Sequence, residues 1–138
     1  MKNIKKNAFY AQSGGVTSVI NASACGVIES ARKHKKHINK LYAGKNGILG
    51  AINQELIDTS YESKSSIKNL KYTPGGIFGS CRYKLDDFRK NPEDFEKLLK
   101  VFIAHNIGYF FYNGGGDSQD TTNKISQFCS SKGFDIKC

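Results

Sequence analysis

Three glycine-rich stretches carry the residues that could do chemistry: AQSGGVTSVINAS (Ala11–Ser23), TPGGIFGSCRY (Thr73–Tyr83) and NGGGDSQDT (Asn113–Thr121). Glycine lets the backbone approach a ligand closely, and free N–H groups at a helix start attract anions. Arg82, in the second stretch, adds a planar fork matched to phosphate oxygens. A lone Ser-Gly-Gly is also compatible with a simple tight turn, and a lone arginine with a surface ion pair. Taken together, the three stretches read as a phosphate-binding crevice. None contains the G-K-[ST] of a Walker A loop, and none places G-x-G-x-x-G in a strand-to-helix turn. Asp117 is the puzzle, because it puts a carboxylate where an anion should sit. It either caps the helix that follows, as Asp readily does, or acts on the ligand.

The elements that must position these loops alternate between short apolar runs and amphipathic stretches. Ala8–Gln12 and Ile38–Tyr42 read as strands, and Ile107–Tyr112 as a strand buried on both faces, as in parallel sheets. The spacing predicts a helix from Thr17 to Lys33, with Ile20, Ala24, Val27, Ile28 and Ala31 on its apolar face. A second helix starts at the N-cap Asn91 with Pro92 at N1, and carries Phe95, Leu98, Leu99, Phe102 and Ile103 inward. A third runs from the last glycine loop to about Ser130 with Ile125, Phe128 and Cys129. Ser63–Leu70 reads as a short helix, Ala43–Gly50 as a turn-rich loop, and Phe134–Cys138 as the start of another strand. This alternation predicts an α/β fold, a Rossmann-like three-layer sandwich on a mainly parallel sheet. In such a sheet the first and third glycine loops lie at the carboxyl ends of strands, where ligands bind.

Bulk properties narrow the classes. The 138 residues and 15.3 kDa suit one domain with a real core. No apolar stretch approaches a membrane span, and the lysine-bearing N-terminus lacks the apolar region of a secretory signal. The net charge of +9 could attract nucleic acid, but suits a phosphorylated substrate equally. The aromatics sit in apolar runs rather than in an exposed stacking array, which disfavours nucleic acid. The run Arg32–His37 reads as the solvated end of a helix, where cations favour the dipole. Cys25, Cys81, Cys129 and Cys138 show no C-x-x-C spacing and read as idle thiols in a reducing cytoplasm. His105, expected at a helix end away from the strand carboxyl ends, reads as structural.

The three motifs, in this order and at these separations, resemble the N-terminal motifs of the 6-phosphofructokinase family, over nearly the whole chain from Ala8 to Cys138. The resemblance implies phosphoryl transfer to the 1-hydroxyl of fructose 6-phosphate in glycolysis, in the cytoplasm, by a homo-oligomer when full length. It implies that Gly14 and Gly15 contact the donor phosphate, that Arg82 clamps the donor, and that Gly115, Gly116, Asp117 and Ser118 form the other half of the cradle. ATP-using members carry Gly-Gly-Asp-Gly-Ser in the third loop; this chain has Gly114-Gly115-Gly116-Asp117-Ser118. Asp117 thus falls where ATP users have glycine, and the resemblance is closer to the pyrophosphate-dependent branch, in which an acid stands there. A carboxylate about 4 Å from an α-phosphate costs ~4 kcal/mol at an effective dielectric near 20, or up to ~1000-fold against ATP. Pyrophosphate has no third phosphate to repel.

One departure concerns the metal. In the family the residue before this acid is usually Asp or Asn and helps to hold Mg²⁺; here it is Gly116, so Asp117 or Asp120 would have to compensate, directly or through water. A second feature concerns the base. The resemblance places it in a Thr-x-Asp-Asn-Asp loop after the strand that begins at Phe134, beyond Cys138. The expectation is therefore that residues 1–138 form the N-terminal, donor-phosphate-binding part of a phosphofructokinase domain, truncated before the catalytic loop and inactive alone. The alternatives are an ATP-dependent 6-phosphofructokinase and a non-catalytic phosphate-binding module.

Overall fold

The computed structural model describes residues 4–138; residues 1–3 of the expected 1–138 unit, and the part of the N-terminal reading that falls on them, lie outside it. The first strand, β1 (Lys6–Gln12), is buried from Asn7 to Gln12 on both faces. A strand so covered must be central, and it is: the four-stranded sheet runs β3-β2-β1-β4, with β2 at Ile38–Gly44, β3 at Leu56–Asp58 and β4 at Ile107–Asn113. β2 and β4 both lie parallel to β1, and β3 closes one edge antiparallel to β2. The chain thus goes from β1 to one side of the sheet and returns later to the other, which makes the carboxyl ends of β1 and β4 the switch point of the fold.

Helices cover both faces, giving three layers. On one side, Ala8 and Tyr10 meet Ala24, Cys25 and Ile28 of α1 (Ile20–Lys33). On the other, Phe9 and Ala11 meet Phe95, Leu98 and Phe102 of α4 (Glu93–Ala104) and Ile125, Phe128 and Cys129 of α5 (Gly116–Ser131). Phe9 stacks on Phe110 with ring centroids 5.6 Å apart, and both rings tilt against Phe102. Burying each such ring contributes roughly 1.5–3 kcal/mol.

Several sequence expectations shift in detail. The 43–50 stretch is not all loop: it leads into the short helix α2 (Ile48–Ile52), whose Ile48 and Ala51 reach the core. β3 is too short for a periodic signal. The short helix α3 (Lys64–Asn69) is capped by Ser63, whose hydroxyl accepts from Ser66 N at 3.0 Å. Helix α4 has no side-chain cap, so Asn91 does not serve as one; Pro92 precedes the helix with near-helical backbone angles, and Glu93, Asp94 and Glu96 load its first turn. Val101 takes the buried place expected of Ile103, which is 60% exposed. Arg32 is not merely solvated, since its Nη2 donates to the carbonyls of Thr59 at 2.7 Å and Glu62 at 2.8 Å. Phe134–Cys138 makes a bridge rather than a full strand: Lys137 pairs parallel with Tyr109, through Phe110 N to Lys137 O at 2.7 Å and Lys137 N to Gly108 O at 2.9 Å. His105 ends α4 with its ring edge against Tyr42, and its carbonyl accepts from Asn7 at the start of β1, far from the switch point.

Candidate functional site

At the switch point the backbone itself brings the three loops together. Ser13 N donates to Asn113 O at 2.8 Å, joining the ends of β1 and β4. Gly14 N donates to Cys81 O at 2.9 Å, and Ser80 Oγ donates to Gly14 O at 2.7 Å, joining the first loop to the second. Gly14 sits at φ +77°, a left-handed angle that glycine adopts without strain. A methyl group on Gly114 would stand 2.9 Å from Cβ of Ser13, so the first and third loops touch where only glycine fits.

The second loop is also tied to α1. Asn21, fully buried, donates from Nδ2 to Thr73 O and accepts at Oδ1 from Ile77 N, both at 2.8 Å. This pairing satisfies the amide at both ends and fixes the glycine turn over the helix start.

The result is a crevice of about 470 Å³. Gly14, Gly15, Arg82, Gly115, Gly116, Asp117 and Ser118 all line it. Asp120 does not; its carboxylate pairs with Lys124 at 2.8 Å along α5. Ser13, Tyr83, Lys84, Asn113 and Thr121 also line the crevice, and the sequence reading singled out none of them. Lys84 had a visible signal, two residues after Arg82 in the same loop. The first turns of α1 and α5 both open onto the crevice, and neither carries a side-chain cap. Their N–H groups and dipoles favour an anion between them.

The side chains set the electrostatics. Arg82 and Lys84 are exposed, and neither joins a salt bridge among the described residues. Tyr83 is different: it donates a short hydrogen bond to Asp94, and that bond, with burial, pushes its hydroxyl up to about 12. It therefore stays neutral and holds the loop to α4. Asp117 lies inside the first turn of α5, after the N-cap Gly115, so it is not the helix cap. It is exposed, unpaired among the described residues, and the one carboxylate in the lining.

The model of the Phosphofructokinase family matches residues 7–137. The chain belongs to the phosphofructokinase family. Within that family it is 58% identical over 132 residues to the pyrophosphate–fructose 6-phosphate 1-phosphotransferase of Methylococcus capsulatus, covering 96% of this chain and 31% of that one. The enzyme of the same name from Halomonas elongata is 59% identical over 130 residues, covering 94% of this chain and 31% of its own. The crystal structure of pyrophosphate-dependent phosphofructokinase from Marinobacter aquaeolei superimposes with a TM-score of 0.89 at 63% identity, over 96% of this chain and 32% of that one. The chain thus spans about a third of the length of these family members.

Proposed function

We propose that residues 1–138 form the donor-phosphate-binding part of a 6-phosphofructokinase that transfers a phosphoryl group from pyrophosphate to the 1-hydroxyl of fructose 6-phosphate. The observation that carries this reading is Asp117, an exposed carboxylate, unpaired among the described residues, in the lining of a crevice built from glycine loops and two helix starts. The names of the similar proteins support the same donor.

The division of labour follows from the lining. Backbone N–H groups of Gly15, Gly115 and Gly116, together with Ser118, would hold phosphate oxygens, while Gly14, its own N–H bonded to Cys81, would shape the turn against them. Arg82 would bind bidentately, and Lys84 would add a point charge. Asp117 would repel the α-phosphate of ATP. At about 4 Å that repulsion is ~1 kcal/mol in water and ~4 kcal/mol at an effective dielectric of 20. Because Asp117 is exposed, it lies nearer the first value. The chemistry is mostly positioning and charge neutralisation.

The lining fits a Mg²⁺ that arrives on the phosphates. It offers one carboxylate, from Asp117, and the side-chain oxygens of Ser13, Asn113, Ser118 and Thr121. Among the described residues, no three His, Cys, Asp or Glu cluster as a self-sufficient metal site. Magnesium keeps several waters and needs only one or two carboxylates beside substrate phosphates. When bound, it would supply neutralisation of the donor charge.

On the family resemblance, the base is expected from a loop following the segment that holds the Lys137 bridge. Lys137 is in register with Tyr109, so a strand continuing that pairing would draw level with Asn113, at the crevice, four residues later. The reading extends to the glycolytic setting, the cytoplasm and a full-length homo-oligomer on family resemblance alone. The test is a donor assay on the full-length protein. Turnover of fructose 6-phosphate with pyrophosphate and little with ATP is expected; equal use of both donors would defeat the assignment to Asp117.

A further inference from the structure

Behind the crevice lies a buried polar relay. The hydroxyl of Tyr10, 1% exposed, accepts from Gln12 Nε2 at 3.1 Å and from Asn113 Nδ2 at 3.2 Å. Tyr10 and Gln12 lie on the same face of β1, and Gln12 pairs in register with Asn113 on β4. Gln12 is fully buried, and its Oε1 has no hydrogen-bond partner. A buried arrangement of this kind is costly unless it holds something in place. What it holds is Asn113, the last residue of β4 and part of the crevice lining.

The amide is oriented by that bond. One of its two N–H groups is committed to Tyr10, while Oδ1 enters no hydrogen bond with another residue among those described. Asn113 lines the crevice, and its Oδ1 is left as an acceptor for a ligand. An acceptor does nothing for a bare phosphate, but suits the water shell of a cation bound to one. The neighbouring Gly116 leaves that cation short of a ligand, and the shortage is not steric: a side-chain carbon there would meet nothing within 4 Å.

We propose that Asn113, oriented by Tyr10 and Gln12, accepts hydrogen bonds from the water shell of the donor-bound divalent cation and stands in for the side chain that Gly116 lacks. This rests on the donor-binding reading above. Outer-shell partners of this kind typically change metal affinity by about 10–100-fold when removed.

The test is calorimetric titration of pyrophosphate into the full-length protein, with Mg²⁺ and with EDTA. The ratio of the two affinities is the readout, and it requires no turnover. Asn113→Leu is expected to reduce the ratio by about 10-fold. Asn113→Asp, which supplies a carboxylate instead, is expected to keep or raise the ratio. Tyr10→Phe keeps the ring in place and frees the amide, and is expected to lower the ratio by a smaller factor; this variant covers the case in which Asn113→Leu does not fold. An unchanged ratio in both Asn113→Leu and Tyr10→Phe, or equal loss in Asn113→Leu and Asn113→Asp, would overturn the role of Asn113 alone. Absence of any pyrophosphate binding by the wild-type protein would overturn the donor-binding reading, and this one with it.

Discussion

The guanidinium of Arg82 lies against the backbone of Gly15: a methyl group built on Gly15 would stand 3.2 Å from Arg82 Nη2. The second loop therefore delivers its cation directly over the first, on the side where both helix starts open. Replacing Arg82 with Ala should weaken pyrophosphate binding by roughly 10–100-fold, the value of a charge-assisted hydrogen-bonding pair. Lys should recover only part of the loss, since it cannot form the fork. Calorimetry on the full-length protein checks both, and full recovery by Lys would mean that Arg82 acts as a simple point charge.

Asp117→Gly should relieve the exclusion of ATP. The gain in kcat/KM with ATP should lie between about 5-fold and about 1000-fold, the range that follows from ~1 to ~4 kcal/mol of repulsion. Pyrophosphate kinetics should change far less. A gain confined to low ionic strength would place the carboxylate in solvent rather than in a closed site.

Asn21 links the fold to the site, because its single side chain holds the second loop at both Thr73 and Ile77. Asn21→Ala should cost about 1–3 kcal/mol for each buried group left unpaired. It should lower the urea midpoint and weaken pyrophosphate binding together, although Asn21 does not line the crevice. Loss of stability without loss of binding would show that the loop keeps its shape without this tie.

Acid should loosen the sheet edge away from the site. Burial works to raise the carboxyl of Asp58, but hydrogen bonds from Lys40 at 2.8 Å and from Ser60 outweigh it and hold the group below its usual range. A depressed folded-state value contributes stability above the unfolded value, and that stability is lost as pH falls through the folded one. Urea midpoints measured from pH 6 down to about pH 3 should therefore fall more steeply for the wild type than for Asp58→Asn. Parallel curves would show that the pair contributes nothing measurable.

The parts legible in the sequence were those with enough length to show a period. β1, β4, α1, α4 and α5 each announce themselves, and the glycine loops mark the junctions between them. α2 and β3 have five and three residues, too few for any pattern. The Ile103-for-Val101 error has a related cause: α2 and α5 both pack on α4, so which flank of its stripe is covered depends on neighbours that the helix's own sequence does not reveal. At the site, the glycines, Arg82 and Asp117 stood out by residue type. Asn113 did not, because its meaning depends on the register that sets it beside Gln12 and within reach of Tyr10.

The central place of β1 has a consequence for the order of folding. Its partner β4 is distant in sequence, with Ala8 in register with Tyr109. Pairings of such long separation form slowly, because loop closure must precede any reward from contact. On a ribosome the buried strand Ala8–Gln12 would emerge before β4 and stay unpartnered on one side until Asn113 had been synthesised, exposing an aggregation-prone segment meanwhile. The Ser-Gly-Gly loop is made well before Asn113, so the crevice it lines cannot form until the end of β4 has followed it.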